Sequence, residues 1–167
     1  MSGMFDLAGK TAVVTGGAKG VGAMISRSLL AAGARVIIVA RGSAENRTFA
    51  EALSGMGSCS LLAHDLATSE GVAEAAAAIA RDAQEVHILV NNAGTFTAAP
   101  IEAITPEMWD RELAINLRAP FFLVQALLPQ LTAAASDGDP ARVINIGSIA
   151  ALWAKSSSAY AYSAAKG

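Results

Sequence analysis

At 167 residues, 53% of them apolar and 16% charged, the chain suits one domain with a sizeable core and not a disordered polymer. A net charge of −2, with no basic run or basic–aromatic alternation, argues against nucleic acid as a partner. The single cysteine, Cys59, excludes an internal disulfide and fits a reducing cytoplasm.

The start, MSGMFDLAGKTAVV, has no basic region ahead of a long apolar core, so no signal peptide is expected. Thr11 to Gly16 reads as a strand entering a glycine turn, and GAMISRSLLAAG has helical spacing that stops at Gly33. Arg35 to Ala40 (RVIIVA) is a continuous β-branched run, as in a strand covered on both faces. Glu45 to about Leu53 reads as a helix, CSLLAH as a third strand with Cys59 a buried thiol, and an alanine-rich helix runs to about Arg81. HILVNN is a fourth strand. His64 and His87 have no acid or cysteine pattern around them, so they read as structural histidines and no metal site is expected.

Thr105 then reads as an N-cap with Pro106 at the first helical position, opening a long helix to about Leu131. Its apolar stretch is interrupted by Pro120, Gln125, Pro129 and Gln130, which makes it a buried or oligomer-facing helix and not a membrane span. SDGDPA is a polar loop and RVINIG the fifth strand. The β-α alternation predicts a doubly wound parallel sheet with helices on both faces, an α/β fold in one domain over residues 1–167.

The first strand runs into TGGAKGVG, Thr15 to Gly22, and directly into a helix. Glycines at 16, 20 and 22 let the backbone turn and approach a bound group, and the helix start offers free N–H groups to a pyrophosphate. At the end of the second strand, where an acid would accept from a ribose 2′-OH, stand Ala40 and Arg41. Arg41, with Lys19 from the glycine turn, suits a 2′-phosphate and favours NADP (as NADPH) over NAD, although either cation alone reads equally as a solvated surface charge. Asp65 is placed to accept from an adenine amino group, or else caps the turn in HDLATSEG.

The last ten residues read as a helix starting near Ser157. Tyr162 and Lys166, four apart, share a face, whereas Tyr160 and Lys166, six apart, do not. A phenol titrates near ~10, and an adjacent ammonium favours its phenolate, bringing Tyr162 toward use as a proton donor or acceptor. Ser148 lies just past the fifth strand, able to hydrogen-bond a carbonyl oxygen or to cap the turn.

TGGAKGVG, NNAG at Asn91 to Gly94, INIGS and YSAAK occur in order and at suitable intervals, and the chain resembles the classical short-chain dehydrogenase/reductases over essentially its whole length. The resemblance implies a Rossmann-type sheet. It also implies Tyr162 as acid/base, Lys166 as ribose ligand and modulator of the tyrosine, Ser148 as carbonyl anchor, and Asn116 as holder of a relay water. It implies cofactor contacts from Thr15, Gly16, Lys19, Gly20, Val21, Gly22, Arg41, Asp65, Leu66, Asn92, Ala93, Gly94, Tyr162 and Lys166. Pro120 supports Asn116 physically, since it has no N–H to donate to the Asn116 carbonyl and is expected to kink the helix; a packed bend with Asn116 a bystander is the rival.

Family members run to roughly 250 residues as single domains, so the resemblance also implies that strands six and seven and the substrate lid are absent, leaving an N-terminal fragment that is inactive alone. For the parent it implies carbonyl reduction to a secondary alcohol, with AGARV, ILVNNAG and PARVINIGS most like bacterial 3-oxoacyl-thioester reductases of fatty acid metabolism, including those tied to rhamnolipid precursor supply. Sugar, steroid or small-ketone substrates are alternatives, as are a non-catalytic dinucleotide sensor and an inactive fragment. A small-molecule substrate, no nucleic acid or membrane, a cytoplasmic location and a homodimer or homotetramer complete the expectations.

Overall fold

The computed structural model describes residues 5–152 and 158–167. Strands β1 (Thr11–Thr15), β2 (Arg35–Ala40), β3 (Cys59–Ala63), β4 (Ile88–Asn91) and β5 (Arg142–Asn145) form one sheet in the order β3-β2-β1-β4-β5, every pair parallel. The β-branched runs sit at its centre because both of their faces are covered: Val13, Val14, Ile37 and Ile38 are fully buried. Each such side chain contributes roughly 1.5–3 kcal/mol relative to exposure.

Helices α1 (Gly20–Ala31) and α2 (Ala44–Ser54) cover one face, where Leu30, Ala50 and Leu53 meet Val14, Val36 and Ile38. On the other, α3 (Ser69–Asp82), α5 (Ala119–Ala126) and α6 (Leu128–Ala134) bring Ile79, Leu123, Leu127 and Leu131 onto Val13, Ile37 and Leu89. Helix α4 (Pro106–Leu113) packs against α7 (Tyr160–Lys166). The chain runs outward from β1 through β2 to β3 and returns to β4, so the strand order reverses between β1 and β4 and opens a crevice at their C-terminal ends.

Caps fall where the sequence places them. Thr105 Oγ1 accepts from the Met108 N–H at 3.3 Å with Pro106 in the first turn, and Thr68 Oγ1 accepts from the Gly71 N–H at 2.9 Å. His87 is structural, its Nδ1 accepting from the Thr11 N–H at 3.1 Å. Cys59 is only partly buried, against the α1–α2 side of the core, and that burial raises its thiol pKa.

The long helix after Pro106 differs from expectation. It is three helices, not one, and it reaches Ala134. Ahead of Pro120 the chain widens into a π turn over Ala114–Arg118, which makes room for the ring that would otherwise strike the Asn116 carbonyl. The helical path then breaks at Leu127 (φ −96°, ψ 6°), two residues ahead of Pro129, whose missing N–H leaves the Gln125 carbonyl without its helical donor. The expected helix start near Ser157 lies outside the described residues; α7 itself begins at Tyr160. Among the described residues no helix is long and apolar enough to cross a membrane, and no group of His, Cys, Asp or Glu is placed to hold a metal ion.

Candidate active site

A cleft of about 490 Å³ lies over the C-terminal ends of β1, β2, β3 and β4. Its floor is the glycine turn between β1 and α1. Gly16 adopts φ +63°, and a side chain at Gly22 would place its Cβ 2.3 Å from the Gly16 carbonyl oxygen and 2.4 Å from Asn92 Nδ2. Only glycine at position 22 lets α1 begin this close to the turn. No side chain caps the α1 N-terminus, so its first N–H groups face the cleft open to a ligand. A missed glycine, Gly17, is equally confined: its Cβ would lie 2.7 Å from Ser26 Oγ, which is buried and donates to the Gly17 carbonyl at 2.9 Å.

Thr15 and Asn92 shape this floor from within. The Thr15 hydroxyl accepts from the N–H groups of Asn92 (3.0 Å) and Ala93 (2.9 Å) and donates to the Val90 carbonyl (3.3 Å), in a side chain only 2% exposed. Asn92 Nδ2 donates to the carbonyls of Thr15 and Gly16 at 2.9 and 3.3 Å. Both side chains hold the end of β4 to the glycine turn; Asn92 also lines the cleft, and Thr15 does not. Val21 is half exposed and does not line the cleft; its position offers only a backbone N–H at the helix start. Gly20, Leu66, Ala93 and Gly94 do line it, Leu66 from within the core.

Lys19 and Arg41 both line the cleft. Lys19 is not free: its ammonium pairs with Glu45 in the first turn of α2. The Lys19 hydrogen bond, then its charge, holds the Glu45 carboxyl below its ordinary range. Arg41 has no carboxylate partner among the described residues. Asp65 divides its two oxygens: Oδ1 accepts from the Ala67 N–H at 3.0 Å, the turn-capping role, while Oδ2 stands 3.8 Å from the Arg111 guanidinium. Sequence reasoning missed Glu45 as the partner of Lys19, and Asn46, His64 and Arg111 as residues lining the cleft. Only the first two had a local signal, the SAEN run that caps α2 with Ser43.

The tyrosine side lies outside the lining of that cleft, to which neither Tyr162, Lys166 nor Ser148 contributes. Lys166 Nζ lies 5.9 Å from the Tyr162 ring centroid and donates to the Ile146 carbonyl at 2.8 Å, just past β5. Burial pushes the Lys166 ammonium below its ordinary range. Phe96 packs edge-on against the Tyr162 ring, 5.3 Å between centroids. Tyr160, on the same helix, is exposed. Ser148 does cap the turn at Ile149–Ala151, its Oγ accepting from the Ala150 N–H at 3.2 Å, which leaves its own proton available to donate.

Asn116 lies in the π turn, buried, with Nδ2 donating to the carbonyls of Thr95 (2.9 Å) and Glu112 (3.0 Å). It shares with Lys166 a second cleft of about 620 Å³ between α5 and β5. Glu112, one turn earlier, is 2% exposed and its Oε1 has no hydrogen-bond partner among the described residues. Nothing in WDREL marks it, because that run reads as a charged outer face.

The comparisons with known proteins agree with this geometry. The family model for short chain dehydrogenase matches residues 10–167. The rhamnolipids biosynthesis 3-oxoacyl-(acyl-carrier-protein) reductase of Pseudomonas aeruginosa is 43% identical over 162 residues, covering 97% of this chain and 63% of the relative. Among solved structures, the Pseudomonas aeruginosa RhlG/NADP active-site complex superposes with a TM-score of 0.91 at 42% identity, over 97% of this chain and 63% of that one. A 3-oxoacyl (acyl-carrier-protein) reductase from Agrobacterium tumefaciens with NADP bound gives 0.87 at 32%, over 99% and 62%. The chain thus spans a little under two thirds of the length of these relatives.

Proposed function

The chain belongs to the short-chain dehydrogenase family, and from that membership we propose that its protein is an NADPH-dependent oxidoreductase that reduces a carbonyl, as a 3-oxoacyl thioester, to a secondary alcohol. The observation that carries the reading is the placement of Lys166, 5.9 Å from the Tyr162 ring and fastened to the end of β5. The residues present fit the dinucleotide. The uncapped α1 N-terminus over Gly16 and Gly22 suits a pyrophosphate, and unpaired Arg41 beside Lys19 suits a 2′-phosphate. The similarity to the Pseudomonas and Agrobacterium 3-oxoacyl reductases, both solved with NADP, supports both the cofactor and the thioester.

When bound, the dinucleotide supplies a hydride to the carbonyl carbon. Tyr162 holds the proton at its phenolic oxygen and gives it to the carbonyl oxygen, and the nearby Lys166 charge stabilises the phenolate left behind. Ser148 donates to the same oxygen while its lone pair stays engaged with the Ala150 N–H. Asn116 holds a water through a backbone carbonyl that Pro120 cannot occupy, in the cleft it shares with Lys166. Gly20, Gly94, Ala93, Leu66 and Asp65, which line the cleft, would contact the dinucleotide, Val21 would offer its backbone N–H alone, and Thr15 and Asn92 hold the turn in shape.

We take residues 1–167 as one nucleotide-binding unit of a cytoplasmic homodimer or homotetramer, with the exposed Leu117, Phe121, Phe122 and Leu128 as the face that supports association. The test uses 3-oxoacyl thioester and NADPH. Tyr162→Phe is expected to lower turnover by roughly 10²-fold or more while NADPH binding persists, and Tyr160→Phe to leave turnover intact. Equal losses at both tyrosines overturn the assignment.

A further inference from the structure

We propose that Glu45 is a specificity-determining residue: it occupies Lys19 while no 2′-phosphate is present, and so restrains the preference for 2′-phosphorylated dinucleotide. The proposal rests on the NADPH reading above. Two cations border the mouth of the cleft between the glycine turn and β2, and they are not equivalent. Arg41 has no carboxylate partner among the described residues, whereas the Lys19 ammonium is paired with Glu45. Lys19 therefore reaches a 2′-phosphate only by leaving or sharing that carboxylate.

Glu45 is held where it must compete. It stands in the first turn of α2, where the positive end of the helix dipole favours an anion. Ser43 Oγ caps that turn by accepting from the Asn46 N–H. Asn46 Nδ2 in turn donates to the Arg41 carbonyl at 2.7 Å, in a side chain that is itself buried. The tip of β2 and the start of α2 are thus one braced corner, with Arg41 and Glu45 projecting from it four residues apart. A dianion settling between Lys19 and Arg41 meets the Glu45 charge at close range. A dinucleotide with a plain 2′-hydroxyl makes no demand on Lys19 and leaves the pair intact. Glu45 and Lys19 are both largely exposed, so the restraint is a modest one.

The test measures binding of 2′,5′-ADP and of 5′-AMP, which differ in the 2′-phosphate and lack the nicotinamide half. Glu45→Gln is expected to tighten 2′,5′-ADP binding by roughly two- to fivefold, the scale of one exposed charge pair, and to leave 5′-AMP unchanged. In a Lys19→Met background that gain should shrink, because the carboxylate no longer has the ammonium to hold. An unchanged or weakened affinity of Glu45→Gln for 2′,5′-ADP overturns the proposal. So does a full gain in the Lys19→Met background, which would make Glu45 a general repulsive charge. A loss of 5′-AMP binding would instead make Glu45 a ribose ligand and also overturns it. If the unsubstituted chain binds 2′,5′-ADP no more tightly than 5′-AMP, the NADPH reading itself fails, and this one with it.

Discussion

The Thr15 hydroxyl serves three backbone groups at once, two N–H donors beyond β4 and the Val90 carbonyl within it. Replacing it by valine keeps the shape and removes every one of those bonds, leaving the part-buried Ala93 N–H without this partner, while the Asn92 N–H keeps the Val90 carbonyl at 3.1 Å. Thr15→Val is therefore expected to cost roughly 1–3 kcal/mol in chemical denaturation, with Thr15→Ser close to the parent. A valine variant as stable as the parent would show that water takes over the hydroxyl's role. The resemblance implies Thr15 and Asn92 as cofactor contacts; the hydrogen bonds that tie their two segments together join positions 77 apart and leave no local mark in the sequence. The Tyr162–Lys166 pair was legible for the opposite reason, since a four-residue spacing on a helix is a local fact. The carbonyl that steadies Lys166, and the acid that engages Lys19, come from other elements and leave no mark in the motif itself.

Elements declare themselves in the sequence where period and caps agree. All five strands, and α1 to α3, lie within a residue or two of where hydrophobic spacing and the Thr and Gly signals put them. The segment from Pro106 to Ala134 was the exception. Its apolar residues continue a helical period straight through two prolines, so period alone cannot distinguish a bend, a widened turn or a break; packing on the sheet decides. The loop before β5 holds another tertiary device. Asp139 bridges Lys10, ahead of β1, at 2.5 Å and Arg142, at the start of β5, at 2.8 Å. The Lys10 hydrogen bond first, then that from Arg142, lowers its carboxyl from 3.8 to about 2. A carboxyl that titrates lower in the folded state stabilises above its unfolded value and loses that contribution as pH falls through its folded one. Asp139→Asn should lower the melting temperature at neutral pH, and the gap should close as pH drops from about 5 toward about 2. A gap that does not change with pH would remove the carboxylate from the account.

At the scale of the molecule, β–α alternation implies a parallel sheet with helices on both faces, which is why an α/β reading of one sequence reaches the right fold class, while the order β3-β2-β1-β4-β5 is decided by packing. The same logic says nothing of which surfaces stay open, because exposure is a property of neighbours. Leu117, Phe121 and Leu128, on the stretch read as buried or oligomer-facing, are more than half exposed, and Val143 and Ile144 on β5 are exposed as well. Among the described residues β5 pairs with β4 alone. The Arg142 and Ile146 N–H groups donate inward, to His87 at 2.8 Å and Asn91 at 3.0 Å. In a parallel ladder the intervening residues alternate, so the Ile144 amide faces β4 as well, and those of Val143 and Asn145 face outward. Transferred to heavy water, the chain should therefore exchange along this strand in a one-on, one-off rhythm, with positions 143 and 145 losing their protons long before 142, 144 and 146. Even protection at all five would mean that another polypeptide has laid its backbone along that side. The isotope pattern of a single strand thus reports, without any activity assay, whether the sheet ends where it is drawn.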